Sequence, residues 1–297
     1  MLASMTNPNP TRRRTALVTG ASSGIGEATA KLFARNGFDV ALIARRGERL
    51  EEIAKAIEAE IECRGARAIP IAADLADEDA TRRALGEALK GLGRVDVLVN
   101  NAGYSPGAAI EQCSRSEIRH IFEVNLFSSL QLIGAVTPLM REQGGGRIIN
   151  IGSVAGVIPA PLAIPYAATK AGMHAATDAL RLELAAFGIE LSLVIPGFVD
   201  TAVFDNARES ARHLREDPTN PYRQTMFDLD ELAKKNLQNA LSPDDVARVV
   251  LRASTVRRPR SRYYTPFSTG LQCIVLGLLP TRVVEALLKR VYKLESA

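Results

Sequence analysis

The stretch T-A-L-V-T-G-A-S-S-G-I-G, residues 15–26, decides the fold that we expect for this chain. Residues 15–19 predict a short buried strand, and the run from Glu27 to Asn36 predicts a helix that ends at Gly37. The glycines between them let the backbone approach a pyrophosphate, which the helix N-terminus attracts. The spacing G-x-x-x-G-x-G differs from the common dinucleotide fingerprint, and no Gly-Lys-Ser/Thr indicates a P-loop. The alternative is an ordinary βα turn.

The same alternation of strands and helices continues along the chain. Further apolar strands are predicted at residues 38–44, 68–73, 95–99, 147–151 and 190–195, with helical runs between them. Such alternation is typical of an α/β fold with a parallel, doubly wound (Rossmann-like) sheet. We find no internal repeat and no second domain in the sequence.

The end of the second strand carries a cofactor signal. Arg45 and Arg46 stand there, and no acid accompanies them. An acid would bind the ribose 2′-hydroxyl of NAD, whereas arginine forms a charge-assisted bond to the 2′-phosphate of NADP. This favours NADP(H) over NAD(H), and the alternative is a solvated arginine pair.

The next two strands also end in polar residues. Asp74 and Leu75 follow the third strand, where the acid can accept hydrogen bonds from an adenine amino group or cap the next helix. Asn100-Asn101-Ala102-Gly103 follows the fourth strand. Its small residues permit close packing on an adenosine, and its asparagines can tie the loop to neighbouring strands.

A catalytic centre is predicted between Ser153 and Lys170. Tyr166 and Lys170 are four residues apart, so on a helix they share one face. A nearby ammonium favours the phenolate and lowers the tyrosine pKa, which suits proton exchange with an alcohol or ketone. Ser153 follows a strand end, where its hydroxyl can bind the reacting oxygen. The alternative is a surface Tyr/Lys pair with an unrelated serine.

Asn125 stands among apolar residues in a helical region that spans residues 116–141. A buried amide is costly unless its hydrogen bonds are satisfied. A water relay toward Lys170 would satisfy them, and a purely structural amide is the alternative.

The last predicted strand ends in P-G-F-V-D-T, residues 196–201, where an open backbone can meet a nicotinamide carboxamide. The polar, weakly periodic segment 202–241 then reads as a substrate lid. Ser242 and Pro243 begin the following helix as its N-cap and first residue.

Composition narrows the function classes. Of 297 residues, 46% are hydrophobic and 24% are charged, which indicates a folded domain. The net charge is +4, but residues 248–293 hold ten basic residues and one acid, a local net charge of +9. No nucleic-acid motif accompanies this charge. The three cysteines are scattered and predict free thiols in the cytoplasm, with no metal site. Residues 1–14 lack the apolar core of a signal peptide and read as a flexible leader.

The motifs together resemble the short-chain dehydrogenase/reductase family, in its single-domain form. The resemblance covers roughly residues 15–250 and rests on T-G-A-S-S-G-I-G, D-L at 74–75, N-N-A-G, Asn125, Ser153, Y-A-A-T-K at 166–170, and P-G-F-V-D-T. It implies a seven-stranded sheet and a homodimer or homotetramer. Many NADP-preferring members carry a basic residue just before the second motif glycine, and this chain has Ser23 there.

The resemblance also implies roles for individual residues. Tyr166 is the acid/base, Lys170 holds the nicotinamide ribose, Ser153 orients the substrate oxygen, and Asn125 holds a relay water. The NADP(H)-binding residues implied are Gly20, Ser22, Ser23, Gly24, Ile25, Gly26, Arg45, Arg46, Asp74, Leu75, Asn101, Ala102, Gly103, Tyr166, Lys170, Pro196, Gly197, Val199 and Thr201.

The C-terminal segment, residues 263–297, is predicted as an amphipathic extension to a domain at 15–262. Apolar residues at helical spacing with basic neighbours fit either a helix over the pocket or subunit interface, or a peripheral membrane contact. The tail is similar to those of family members acting on steroids, retinoids and other lipids. With the apolar stretch 154–164, it predicts a hydrophobic ketone or secondary alcohol as substrate. The alternatives are a 3-oxoacyl-thioester reductase and a non-catalytic cofactor-binding sensor.

Overall fold

Seven short strands form the central sheet of the protein, for which a computed structural model describes residues 12–63 and 65–294. Residues 1–11 of the predicted leader, residues 1–14, lie outside these ranges. The strands are β1 (Arg14–Thr19), β2 (Phe38–Ala44), β3 (Ala68–Ala72), β4 (Val97–Asn100), β5 (Gly146–Ile151), β6 (Ile189–Pro196) and β7 (Arg262–Thr265). Their order is β3-β2-β1-β4-β5-β6-β7. Every neighbouring pair is parallel, which confirms the doubly wound fold.

Helices connect the strands and cover both faces of the sheet. They are α1 (Gly24–Arg35), α2 (Gly47–Ala59), α3 (Glu78–Leu92), α4 (Arg115–Phe122), α5 (Ser128–Glu142), α6 (Ile164–Leu184), α7 (Ala202–Ser210), α8 (Arg212–Glu216), α9 (Arg223–Leu237), α10 (Pro243–Thr255), α11 (Phe267–Leu278) and α12 (Thr281–Val291). One turn of π-helix, Glu123–Phe127, joins α4 to α5. The predicted start of α10 is confirmed, because the Ser242 side chain accepts a hydrogen bond from the Asp245 N–H.

Two apolar layers hold the helices to the sheet. On one face α1, α2 and α10 bury side chains such as Phe33, whose ring stacks on Phe38 at 4.9 Å. On the other face α3, α5 and α6 cover Leu17, Leu98 and Ile148. Burying each such side chain contributes about 1.5–3 kcal/mol to the free energy of folding. Because these layers are closely packed, the sheet holds the carboxyl ends of its strands in fixed positions.

The sheet changes winding direction between β1 and β4. The chain runs from β1 outward to β2 and β3, and then returns to place β4 on the other side of β1. Loops that leave β1 and β4 therefore diverge at their carboxyl ends, and ligands of open α/β sheets bind in the crevice left there. The glycine turn after β1 and the loop after β4 both lie at this point.

The segment between β6 and α10, predicted from sequence as a weakly periodic excursion, is mostly helical. It contains α7, α8 and α9. Its two ends meet, because the Asp200 N–H donates to the Leu241 carbonyl and the Leu241 N–H donates to the Phe198 carbonyl. The excursion packs over the carboxyl side of the sheet through an apolar cluster of Ala109, Leu162 and Met226.

The last strand and two helices complete the chain. β7 takes residues 262–265 into the sheet, including the first three residues of the segment assigned to the C-terminal extension. α11 and α12 follow it in the described part of that extension. Within the described residues, no helix is both long enough and apolar enough to cross a bilayer.

Candidate active site

Ser153 lies just beyond the carboxyl end of β5 and faces Tyr166. Its backbone is extended, and its hydroxyl oxygen accepts a hydrogen bond from the Ala155 N–H at 3.1 Å. The hydroxyl proton is then available for its hydrogen bond with the Tyr166 phenol. The two side chains that sequence analysis placed at the reacting oxygen therefore interact, and Ser153 acts to lower the pKa of Tyr166.

Lys170 lies beneath Tyr166 on the same face of α6, as the four-residue spacing predicts. Its Nζ is 5.7 Å from the centre of the tyrosine ring. It donates a hydrogen bond to the carbonyl of Ile151, at 2.8 Å, which fixes the ammonium at the end of β5. Lys170 is buried, whereas Tyr166 is half-buried, so only the tyrosine is accessible to a substrate.

Burial controls the ionisation of both groups. It raises the pKa of Tyr166, and the hydrogen bond with Ser153 acts in the opposite direction. It lowers the pKa of Lys170 to about 8. The net shift at Tyr166 is thus opposite to the one predicted from sequence. The physical reason is that the low-dielectric setting penalises the phenolate and also weakens the ammonium that would stabilise it.

Asn125 occupies the π-helical turn between α4 and α5, a feature often found at functional sites. Its Oδ1 accepts from the Tyr104 N–H at 3.0 Å, and its Nδ2 donates to the Tyr104 carbonyl at 2.9 Å. The Nδ2 also donates to the Thr169 hydroxyl, at 3.2 Å. The amide is therefore satisfied by protein atoms and clamps the loop after β4 to α6. Its role in a water relay remains a prediction.

Thr169 and His174 are two site residues that sequence analysis did not identify. The Thr169 hydroxyl donates to the Tyr166 carbonyl at 2.7 Å and so links Asn125 to the turn that carries the tyrosine. The buried His174 accepts the Ser153 N–H at its Nε2, at 3.4 Å. A Cβ on Gly152 would lie 2.4 Å from that nitrogen, so the histidine packs tightly behind the serine. A His four residues after a Y-x-x-x-K lysine was the available signal.

His174 gives the first testable prediction. Burial, then the positive charges of Lys170 and Arg262, lower its pKa to about 4, while Asp178 opposes the shift. The unfolded chain therefore binds more protons between pH 6.5 and about pH 4, and stability falls as the pH falls through this window. The full shift corresponds to roughly 3 kcal/mol. We expect His174→Gln to lose less stability than wild type between pH 7 and 4, measured by urea unfolding. Parallel pH curves would contradict the assignment.

The glycine turn after β1 has the form needed to hold a dinucleotide. A Cβ on Gly26 would lie 2.3 Å from the Gly20 carbonyl oxygen, so only glycine fits at this position. The turn is tied to the loop after β4 by Asn101, whose Nδ2 donates to the Thr19 carbonyl at 2.9 Å. The Thr19 hydroxyl accepts from the N–H groups of Asn101 and Ala102. The backbone is thus held open in front of the α1 N-terminus, which fits a pyrophosphate.

The loop after β6 closes the same crevice from the other side. A Cβ on Gly24 would be 3.1 Å from Thr201 Cγ2, so this loop lies against the glycine turn. The Gly197 N–H donates to the Thr265 carbonyl at 2.8 Å, which anchors the loop to β7. Gly103 connects the crevice to the catalytic residues, since its Cβ position is 3.3 Å from Asn125 Oδ1 and 3.6 Å from Lys170 Nζ.

The arginines after β2 differ in their contacts. Arg46 folds back onto the glycine turn and donates to the hydroxyl groups of Ser22 and Ser23, both at 3.0 Å. Arg45 is exposed, and its charge lowers the pKa of Tyr104 against the larger, opposite effect of burial. The crevice therefore carries positive charge at the end of β2.

The remaining predicted cofactor residues lie around the crevice in different settings. Asp74 accepts the Ala76 N–H at 3.0 Å, while Asp77 caps α3, so Asp74 is not that helix's N-cap. Leu75 and Val199 are buried, and Ile25 packs partly buried against the core. Among residues 12–63 and 65–294, no group of three or more His, Cys, Asp or Glu side chains is arranged to hold a metal ion.

The model of the family described as short chain dehydrogenase matches residues 14–212. An uncharacterized oxidoreductase of Staphylococcus saprophyticus is 36% identical over 245 residues, which are 82% of this chain and 90% of the relative.

Two of the solved structures that resemble this chain contain a nicotinamide cofactor. A short chain dehydrogenase/reductase from Burkholderia phymatum in complex with NAD superposes with a TM-score of 0.77 at 26% identity, covering 91% of this chain and 96% of the other. A metagenomic short-chain oxidoreductase in complex with NADP superposes with a TM-score of 0.66 at 31% identity, covering 85% and 96%.

Proposed function

This chain belongs to the short-chain dehydrogenase family, and from its site we propose that it interconverts a hydrophobic ketone and a secondary alcohol with NADP(H). The observation that carries the proposal is the contact between Ser153 and Tyr166, with Lys170 buried behind the tyrosine. The site thus holds a proton donor (Tyr166), a second hydroxyl (Ser153) and a cation (Lys170) around one point. This combination suits a carbonyl oxygen that becomes an alcohol oxygen.

The chain's own residues perform the proton chemistry in this proposal. Tyr166 Oη donates its proton to the substrate oxygen during reduction and accepts it during oxidation. Ser153 holds that oxygen beside the phenol, and Lys170 stabilises the negative charge that develops on the phenol. The nicotinamide, when bound, supplies or accepts the hydride. Asn125 keeps the loop after β4 in position and, as we propose, holds the water that returns a proton toward Lys170.

The cofactor would lie across the crevice between the glycine turn and the loop after β6. Gly20, Gly24, Gly26 and the α1 N-terminus would hold the pyrophosphate, and Asn101, Ala102 and Gly103 would pack beside the adenosine. Asp74 has one carboxylate oxygen bound to the Ala76 N–H, which leaves the other for an adenine amino group. Pro196, Gly197, Val199 and Thr201 would face the nicotinamide carboxamide.

A preference for NADP(H) is supported by Arg46. Its guanidinium lies at the Ser23 hydroxyl, the position at which many NADP-preferring family members carry a basic residue. Arg45 stands beside it at the end of β2. The two arginines and the two serine hydroxyls together suit a 2′-phosphate, because guanidinium groups form strong charge-assisted bonds to phosphate oxygens.

We therefore expect Arg46→Ala to weaken NADPH binding by about tenfold or more, the usual scale for loss of a charge-assisted hydrogen bond. NADH binding should change little. Arg49→Ala is the matched control, since Arg49 lies on α2 and pairs with Glu27 and Glu52 instead. Both dissociation constants can be measured by fluorescence titration. An equal loss for NADPH and NADH would contradict the 2′-phosphate assignment.

A hydrophobic substrate is supported by the apolar surroundings of the tyrosine. The stretch from Val154 to Ile164 supplies Val157 and Ile164 as exposed apolar side chains beside Ser153 and Tyr166. The excursion of residues 202–241, which we propose as a substrate lid, rests on Leu162 through Met226. A bulky apolar ketone would remove these side chains from water, whereas a small polar carbonyl would not.

The test is a series of ketones that increase in size from acetone to a steroid. We expect kcat/KM to rise with apolar surface, because each buried CH₂ group contributes about 0.8 kcal/mol. Equal turnover of small polar and steroid-sized ketones would overturn the hydrophobic assignment. A preference for a carrier-linked 3-oxoacyl thioester over the free ketone would identify the acyl reductase instead.

The proposal extends to the cellular compartment and the oligomeric state of the protein. Cys63, Cys113 and Cys273 carry free thiols, which suits a reducing compartment, and we propose the cytoplasm. We also propose a homodimer or homotetramer. The exposed side chain of Phe127, in the π-helical turn before α5, could contribute to a subunit interface.

A further inference from the structure

An apolar stripe runs along the exposed side of α11, next to the exposed polar residues Ser268 and Gln272. Phe267, Leu271, Ile274, Val275 and Leu278 recur at helical spacing and are each 48–81% exposed. No charged side chain occurs in this helix. Helices at the surface of a soluble protein normally present polar residues to water, and a contiguous exposed apolar surface marks a contact with another molecule or with lipid.

The inner face of α11 fixes the direction in which this apolar stripe points. Thr269, Gly270 and Cys273 are buried. A Cβ on Gly270 would lie 2.8 Å from the Tyr264 ring, so the helix packs closely on β7. The stripe cannot turn inward without breaking this contact, and it therefore stays exposed in the folded domain.

α12 carries a second exposed apolar stripe and adds positive charge. Its residues Val283, Leu287 and Val291 are each 42–53% exposed and share one side of the helix. Arg282 and Lys289, both exposed, flank Glu285 on the other side of the exposed surface of α12, with Ala286 and Arg290 between them and the stripe. α12 has three basic residues and one acid. An amphipathic helix with an apolar side and a basic flank is the form that lies in the headgroup region of anionic membranes.

The position of α12 places this surface beside the active site. The Tyr292 hydroxyl donates to the Pro159 carbonyl at 3.1 Å, in the loop that follows Ser153. Lys293 pairs with Asp228 of α9 at 3.6 Å. The residues that follow α12 thus connect it to the loop after β5 and to α9.

We propose that α11 and α12 form a docking surface for anionic lipid bilayers, defined by Phe267, Leu271, Ile274, Val275, Leu278, Val283, Leu287 and Val291 with the basic flank of Arg282 and Lys289. The protein lies on the bilayer and does not cross it, because the 12 residues of α11 extend roughly 18 Å against about 30 Å of hydrocarbon. Docking brings the mouth of the site to the lipid surface.

Charge favours lipid over a second copy of the chain. In a symmetric dimer the same surface meets itself, so the two positive flanks would approach each other. Anionic headgroups would instead neutralise them, with about 1 kcal/mol for each basic residue near the surface. The proposal is independent of the catalytic function, since it concerns residues that do not touch Tyr166, Lys170 or the crevice.

The test is co-sedimentation of the full chain with vesicles. We expect the partition coefficient on equal parts of phosphatidylcholine and phosphatidylglycerol to exceed that on phosphatidylcholine alone by about tenfold or more. The double variant Ile274→Ser/Leu278→Ser should reduce binding to the mixed vesicles by about tenfold or more. The double variant Arg282→Glu/Lys289→Glu should remove the preference for the anionic lipid.

Leu182→Ser is the matched control, because Leu182 is an exposed leucine, 83% accessible, on α6. It should leave vesicle binding unchanged. All substituted positions are exposed, so the variants should keep the wild-type circular dichroism. If wild type stays in the supernatant with both vesicles, the proposal is wrong. If Ile274→Ser/Leu278→Ser also changes the oligomeric state without lipid, a second copy is the occupant.

Discussion

Replacing Tyr166 with Phe should reduce kcat by about a thousandfold or more and leave the dissociation constant of NADPH nearly unchanged. General acid–base groups contribute 10²–10⁴-fold, and this tyrosine is the group in the site that can transfer a proton to a bound carbonyl. The phenylalanine ring keeps the packing of the tyrosine ring and loses only the hydroxyl that contacts Ser153. Steady-state kinetics and a fluorescence titration with NADPH give the two quantities.

Tyr263→Phe is the control for this prediction. Tyr263 is a buried tyrosine on β7, away from the crevice, and its hydroxyl accepts only the Arg260 N–H among the bonds seen in the described part of the chain. We expect it to retain nearly full turnover. If Tyr166→Phe lost cofactor binding together with turnover, the tyrosine would be a structural residue. If it kept turnover, another group would transfer the proton.

Replacing Lys170 with Met should remove most turnover and, at the same time, stabilise the protein at pH 7. Burial lowers the lysine pKa from 10.5 to about 8, so below pH 8 the fold holds a charge that it disfavours. This shift corresponds to roughly 3 kcal/mol. Loss of the hydrogen bond to the Ile151 carbonyl costs about 1 kcal/mol in return. We expect a net gain of about 2 kcal/mol in the free energy of unfolding.

The pH dependence separates this explanation from a general packing effect. The unfolded chain binds more protons than the folded one between about pH 8 and pH 10.5, so the stability of wild type rises with pH through this window. The advantage of Lys170→Met should therefore shrink as the pH rises and disappear at about pH 10, where the remaining cost of the charge equals that of the lost hydrogen bond. Urea unfolding at several pH values measures it. Exposed Lys55 on α2 is the control, and Lys55→Met should change stability by less than about 0.5 kcal/mol. A less stable Lys170→Met at pH 7 would contradict the account.

Those parts of the fold and site that depend on local patterns could be predicted from the sequence. The turn at Gly20–Gly26 needs glycine, because a Cβ on Gly26 would meet backbone, and this need is visible as a spacing. The Tyr166–Lys170 pair follows from helix periodicity alone. The bounds of β2, residues 38–44, are predicted as the structure has them, since six of its seven residues are apolar.

Contacts between segments distant in sequence could not be predicted in this way. His174 contacts the Ser153 backbone only because α6 packs against the end of β5. Asn125, in the π-helical turn, binds Tyr104 in the loop after β4 and Thr169 on α6, and these three segments are distant in sequence. The same limit explains why the pKa shift predicted for Tyr166 from the sequence has the wrong direction. The spacing revealed the ammonium, but the burial that raises the tyrosine pKa and lowers the lysine pKa belongs to the assembled core.

The central claim is that this chain reduces a ketone to an alcohol at the expense of NADPH. The most direct test is to incubate purified protein with NADPH and a steroid-sized ketone, and to quantify both NADPH consumption and the secondary alcohol by chromatography. We expect one alcohol for each NADPH consumed. NADPH that binds without being consumed, with no alcohol from any ketone and no ketone from any alcohol with NADP⁺, would contradict the claim and identify a cofactor-binding sensor.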